Sequence, residues 1–188
     1  MRKVYSYDEI GQVFTDYFTE AQNNIFKLGV LQDYVDEDAG LSWQAWKIGE
    51  RKASMRLVSD DPRYMDWIQA RKKSPATFTR VQVTQQPLSA YTTWQLALFA
   101  EYQKQGIEDA YSVDAMRLLG KTALPDSDIV IFDNQRVLQW SYAPDSQGLV
   151  DGGTIWDTAD GDDISRFLNL QQTVMAVASP LLHAKRLE

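Results

Sequence analysis

The order of apolar and polar positions divides the chain into helix-like and strand-like stretches. Tyr7, Ile10, Val13, Phe14, Tyr17 and Phe18 recur at helical spacing, which predicts a first helix with one apolar stripe. Ser6 and Glu9 form the two halves of a capping box at its start, and Tyr5 and Ile10 stand where a hydrophobic staple would be. IFKLGVLQDYV, residues 25–35, is rich in β-branched and aromatic residues and predicts a strand with Gly29 at a bulge. The acidic DEDAG that follows is a loop. LSWQAWKIGE fits a helix by the spacing of Trp43 and Trp46 and a strand by their bulk. DDPRYMDWIQARKK predicts a helix capped by Asp61, with Pro62 in its first turn. Tyr64, Trp67 and Ile68 face inward there, and Arg71, Lys72 and Lys73 complement the dipole at its end.

FTRVQVT, residues 78–84, alternates: Thr79, Val81 and Val83 point one way, and Arg80, Gln82 and Thr84 form a wetter face. After Pro87 a longer helix runs to about Gln105 and is ended by Gly106, with Leu88, Tyr91, Trp94, Leu98 and Tyr102 on one side. DIVIFD and RVLQWSY flank Asn134-Gln135 and predict a hairpin. LVDGGTIW returns as a strand kinked at Gly152-Gly153. Asp160, Asp162 and Asp163 introduce a last helix with Ile164, Phe167, Leu168, Val174 and Val177 on its apolar stripe. The expected architecture is α+β: one domain over residues 1–186, with a mainly antiparallel sheet of four to six strands packed against three or four helices. Leu187-Glu188 reads as a cloning scar.

Composition narrows the function classes. At 188 residues with 44% hydrophobic content, the chain can build a core that buries roughly 70% of its unfolded surface. A net charge of −7 argues against direct nucleic-acid binding by the surface as a whole, and against a polybasic membrane contact, leaving room for a local basic patch. The absence of cysteine removes disulfides, thiolate nucleophiles and zinc–thiolate sites. MRKVYSYDEI lacks the apolar core of a signal peptide, and no run approaches the ~20 apolar residues of a membrane span, so a cytoplasmic location is expected.

Candidate chemistry centres on three aspartates, Asp126, Asp128 and Asp133, that bracket the apolar run Ile129–Phe132. Carboxylates converging at strand ends bind metals in hydrolases and nucleases. Aspartate also punctuates turns, because its carboxylate bonds nearby backbone amides. Asp128 and Asp133 stand roughly 16 Å apart along an extended strand, too far to share one ion, so the turn role weighs more. The single histidine, His183, sits near the C-terminus, and the chain lacks G-x-S-x-G, a phosphate loop and H-E-x-x-H. The six tryptophans lie within apolar patterns and read as core. Two or three of them lining a cleft with Tyr91 and Tyr111 would stack a flat ligand or anchor a peptide.

The order of motifs also carries a resemblance. Arg80-Val81-Gln82-Val83, then Pro87 to Trp94, then Gly106-Ile107-Glu108-Asp109, then Leu124 to Asp128 with Phe132-Asp133, and the closing Ala178-Ser179-Pro180, together resemble an uncharacterised bacterial domain family. That family is abundant in actinobacteria and often encoded beside helix-turn-helix regulators. FKLGVLQDYV is similar to its early strand, although Val30 or Leu31 stands where the family pattern has a glutamate. The resemblance implies a fold and a neighbourhood, not a mechanism. The expected function is a non-catalytic module, without cofactor, that binds a protein partner such as a helix-turn-helix regulator or a small ligand. Its candidate contact residues are Asp33, Tyr34, Arg80, Tyr91, Trp94, Glu108, Asp128 and Asp133. The alternative is a metal-dependent hydrolase or nuclease-like enzyme with ligands among Asp33, Glu108, Asp109, Asp126, Asp128 and Asp133.

Overall fold

The computed structural model describes residues 2–33, 40–142, 150–157 and 162–182. Its centre is a run of three parallel strands, β2 (Asn24–Gly29), β3 (Thr77–Thr84) and β4 (Asp109–Asp114). Parallel neighbours require crossover connections, and the helices supply them. The segments α2 (Gly40–Lys47), α3 (Arg51–Ser59) and α4 (Pro62–Lys73) lie between β2 and β3, and α5 (Ala90–Lys104) lies between β3 and β4. On the other side of β2 the sheet continues antiparallel through β5 (Ile129–Phe132), β6 (Arg136–Tyr142), β7 (Val150–Asp157) and the edge strand β1 (Lys3–Ser6). A two-residue strand, β8 (Ser179–Pro180), closes the far edge against β4. The helices α1 (Tyr7–Glu20) and α6 (Asp162–Met175) complete the described elements.

The expectation of a mainly antiparallel sheet of four to six strands with three or four helices is therefore corrected. The described residues form an eight-stranded mixed sheet, in the order β1-β7-β6-β5-β2-β3-β4-β8, and six helices. Three strands escape a reading by periodicity. The edge strand β1 is mostly exposed, β4 carries Asp109, Ser112 and Asp114 in a short run, and β8 is too brief to show a pattern. The stretch 51–59, with its cations and small residues, offers no wide apolar stripe, yet it forms α3.

Both faces of the sheet are covered, which is why most residues of its central strands are buried. On one face Phe26, Leu28, Val81, Ile129 and Ile131 meet Ile164, Phe167, Leu170 and Val174 of α6. On the other, Ile25, Phe78, Val130, Phe132 and Leu138 meet Ile10 and Phe18 of α1. The capping box forms as expected: the Ser6 backbone N–H donates to the Glu9 carboxylate at 3.0 Å. Tyr7, by contrast, is exposed rather than part of the buried stripe. The alternation of residues 78–84 also misled, since β3 is central and its wetter face is enclosed, with Gln82 only 2% exposed. Gly29 makes no bulge; it pairs in register with Gln82, and the space of its missing side chain holds the Gln82 amide.

At the sheet edge Gly152 adopts φ +130, and an added Cβ would meet the Tyr5 carbonyl oxygen of β1. Gly152→Ala is expected to destabilise by at least about 2 kcal/mol, through left-handed strain and overpacking together, as measured by urea unfolding.

Candidate functional site

Lys27 is the one charged residue in the β2 sequence NIFKLG. The strand registers pair it with Arg80 on β3 and with Val130 on β5, so all three side chains leave the same face of the sheet. Above them lies a pocket of about 560 Å³. Its floor is Lys27, Arg80 and Val130; α1 supplies Phe14 and Phe18, and α4 supplies Trp67. Tyr91, Trp94, Gln95, Leu98 and Phe99 of α5 close the remaining side.

Long-range hydrogen bonds hold these elements in place. The Asp128 carboxylate, 1% exposed, accepts the Val30 backbone N–H at 2.8 Å, just beyond the end of β2. The Asp133 carboxylate accepts the N–H groups of Gln22, Asn23 and Asn24 at 2.9, 2.7 and 3.0 Å, at the start of β2. The two aspartates that bracket β5 thus pin both ends of the strand that carries Lys27. Asp133 and Asn134, with φ of 52 and 58, form the hairpin turn, which centres one residue earlier than Asn134-Gln135. Past β2, the Gln32 carbonyl accepts the hydroxyls of Ser89 at 3.0 Å and Thr92 at 2.6 Å, and Ser89 caps α5 by accepting the Thr92 N–H. That anchor sets Tyr91, Trp94 and Gln95 over the pocket.

The pocket's charges are unevenly matched. The Arg80 Nε donates to both oxygens of Glu108 at 3.0 Å, in a pair whose side chains are 13% and 0% exposed. The guanidinium also lies 4.3 Å from the Phe99 ring centroid. Glu108 is committed to Arg80 and Asp128 accepts from Val30, so Lys27 has no hydrogen bond or ion pair to a described residue. Lys27 is half-buried and lines the pocket. Burial holds its ammonium below the usual lysine range, and Arg80 beside it adds to the shift; Asp128 and Glu108 pull partly back. A third cation, Arg71, is 6% exposed behind the rings of Phe18 and Phe78. Its Nη2 donates to the Ala76 carbonyl at 2.8 Å, while Nε and Nη1 have no acceptor. The dipole role expected of Arg71 is thus replaced by burial. The Gln95 Oε1, also lining the pocket, is buried without a donor.

Among the residues singled out by sequence, the structure gathers Arg80, Tyr91, Trp94 and Glu108 at this pocket, with Asp128 in its electrostatic field. Asp133 lies at the far end of β2, and Asp33 is exposed beyond its near end. Tyr34, Asp160, His183 and Leu187-Glu188 lie outside the described residues. The other carboxylates disperse: Asp126 accepts from Ser127 and Gln139, and Asp109 is exposed. Among the described residues no three acids or histidines converge on a point that could hold a metal ion. Sequence reasoning missed Lys27 and Gln95. A lone lysine inside an otherwise apolar strand was the available signal for the first; Gln95 had none.

Among the described residues no helix is long and apolar enough to cross a membrane. The family model of a domain of unknown function, DUF6879, matches residues 12–183, a longer span than the motifs alone cover. No curated protein matches the chain. Among solved structures, NucT from Helicobacter pylori is similar at TM-score 0.52 and 7% identity, covering 96% of this chain and 98% of that one. An archaeal chromatin protein, TrmBL2, whose structure shows a novel mode of DNA binding, is similar at TM-score 0.49 and 12% identity, covering 95% of this chain. The chain spans about half of TrmBL2, 52% of its length. The expectation that direct nucleic-acid binding is unlikely is corrected. The likeness to NucT runs over nearly the whole of both chains, and the charge of this chain is unevenly spread, with Lys47, Arg51, Lys52 and Arg56 close in sequence, so the sum of −7 does not decide against a local contact.

Two substitutions test the framework. Asp133→Ala is expected to cost about 1–2 kcal/mol, because three backbone donors lose the two carboxylate oxygens that accept from them. Partial burial opposes ionisation of Asp133, but the N–H bonds from Gln22, Asn24 and Asn23 prevail and hold its carboxyl below the ordinary value. The wild type therefore loses this contribution as pH falls from the unfolded value, about 3.9, through the lower folded one. The variant lacks that acid-dependent step, as urea titrations from pH 5 to 2 would reveal. Glu108→Gln is expected to cost about 3–5 kcal/mol, since it leaves the Arg80 guanidinium buried without its carboxylate, and the same unfolding assay reads it.

Proposed function

The chain belongs to the domain-of-unknown-function family DUF6879, which assigns it no activity, and we propose that it is a non-catalytic binding module for a small ligand with an anionic head and a flat apolar body. The observation that carries this reading is the Lys27 ammonium, on the floor of an aromatic pocket and without a carboxylate of its own. A charge removed from water costs free energy unless a partner offsets it. A phosphate or carboxylate seated between Lys27 and the terminal amines of Arg80 would be that partner. Phe14, Trp94 and Phe99 line walls suited to a planar ring, and the Gln95 amide supplies a polar contact at its edge. The volume of about 560 Å³ suits such a molecule. The metal-dependent alternative is not favoured by any comparable observation.

Lys27→Met keeps the bulk of the side chain and removes the charge. The variant is expected to be about 1–3 kcal/mol more stable than the free wild type at neutral pH. Its advantage shrinks as pH rises toward the unfolded lysine value of about 10.4, because the folded lysine titrates first and the unfolded chain then binds more protons. Thermal melts with adenosine 5′-monophosphate and indole-3-acetate, against adenosine and inorganic phosphate, test the ligand class. A binder at a hundred times its Kd stabilises by about 2.7 kcal/mol, or roughly 5–10 °C, in the wild type and not in Lys27→Met. If neither anionic ring shifts the melt, or if the shift survives in Lys27→Met, the reading is wrong.

A further inference from the structure

Residues 40–59, the helix pair α2–α3, carry Lys47, Arg51, Lys52 and Arg56 against the single acid Glu50, in a chain of net charge −7. All four cations are exposed. Arg51 and Lys52 are the first two residues of α3, at the positive end of its dipole, where the first turn contains no acid. Glu50, at the cap, makes no side-chain capping bond. Carboxylates are the residues that favour this position, and cations there are repelled. Lys52 and Arg56 stand four apart on one helix face, a like-charge spacing that also destabilises.

Arg51, Lys52 and Arg56 surround a shallow hollow of about 590 Å³ with Trp46 and Met55. Trp46 is 8% exposed, and its indole N–H has no acceptor. The Arg51 guanidinium covers its ring at 3.8 Å and donates to its carbonyl at 3.2 Å. The enclosed indole N–H is out of reach of a surface ligand, but four exposed cations and a helix N-terminus without an acid all lack the same thing, a set of oxyanions.

We infer that the α2–α3 face binds the phosphodiester backbone of a nucleic-acid strand. Four cations over two helices exceed what one phosphate needs. With Trp46 covered, no exposed ring in the hollow is free to stack a base, so the contact reads phosphate and not sequence. A lipid surface fits less well. A helix lying in a membrane interface places its apolar side chains between its cations, but the exposed Leu57 stands about 100–140° round α3 from each of Arg51, Lys52 and Arg56, and the exposed Leu41 and Ile48 do not line their hollow.

The test is fluorescence anisotropy of a labelled 20-nucleotide single-stranded DNA with the full chain, from 25 to 200 mM KCl. Lys52→Gln/Arg56→Gln, both at exposed positions, is expected to weaken binding roughly tenfold or more at 50 mM and to flatten the log K against log salt slope by about 1.4, at about 0.7 per lost contact. Lys72→Gln/Lys73→Gln, at the end of α4, should leave both unchanged, and circular dichroism checks that each variant is folded. The inference is overturned by no binding at 25 mM KCl, by a double variant that binds as the wild type does, by inorganic phosphate saturating the site as tightly as the strand, or by sedimentation with phosphatidylserine vesicles in its place. Pocket occupancy plays no part in this test, so its outcome is separate from that of the ligand panel.

Discussion

Everything at the pocket depends on where β2 lies, and β2 is fixed by two carboxylates from β5. Asp128 takes the N–H of Val30 and Asp133 takes those of Gln22, Asn23 and Asn24. A strand register slipped by one residue would turn every side chain to the opposite face. For β2 that would send Lys27 into the apolar layer under α6 and bring Phe26 and Leu28 to the pocket. Two clamps, one at each end, forbid the slip. The aspartates that look like candidate ligands in the sequence are instead what makes the position of Lys27 definite.

The pocket is electrostatically lopsided because the fold gives its cations different partners. Arg80 has Glu108 and aromatic faces; Arg71, behind the pocket's rings, has one carbonyl and two rings; Lys27 has only the pull of Asp128 and Glu108 against the push of Arg80. Arginine tolerates such enclosure, since its charge is spread over a plane that stacks on rings, whereas an ammonium is compact and strongly hydrated. The least satisfied charge is thus also the least suited to burial, and it sits at the floor where incoming groups arrive.

Much of this was legible in the chain. The capping box at Ser6, the α4 start at Pro62, the α5 stop at Gly106 and the β5–β6 hairpin are local signals, and the structure bears them out. Strand direction was not legible, because it depends on which distant segments pair. The parallel core follows from helical crossovers, and α2 and α3 were the hardest helices to read. Arg80, Tyr91, Trp94 and Glu108 were chosen from sequence and meet at one pocket, but for reasons periodicity does not contain. Lys27 was passed over because a strand-like run absorbs one polar residue without comment. Its meaning appears only once Arg80 and Val130 are known to flank it.

The clamp on β2 also orders events in time. Asp133 and the amides it holds are 109 to 111 positions apart, and Asp128 and Val30 are 98 apart. Contacts of such separation come slowly, since the chain entropy lost in closing the loop precedes any return. During synthesis β2 emerges early and must wait for most of the chain before either aspartate arrives. Its parallel partner β3 follows much sooner and sets which face Lys27 takes. The floor under Lys27 is complete only with β5, which brings Val130 and both clamping aspartates in one short run of chain.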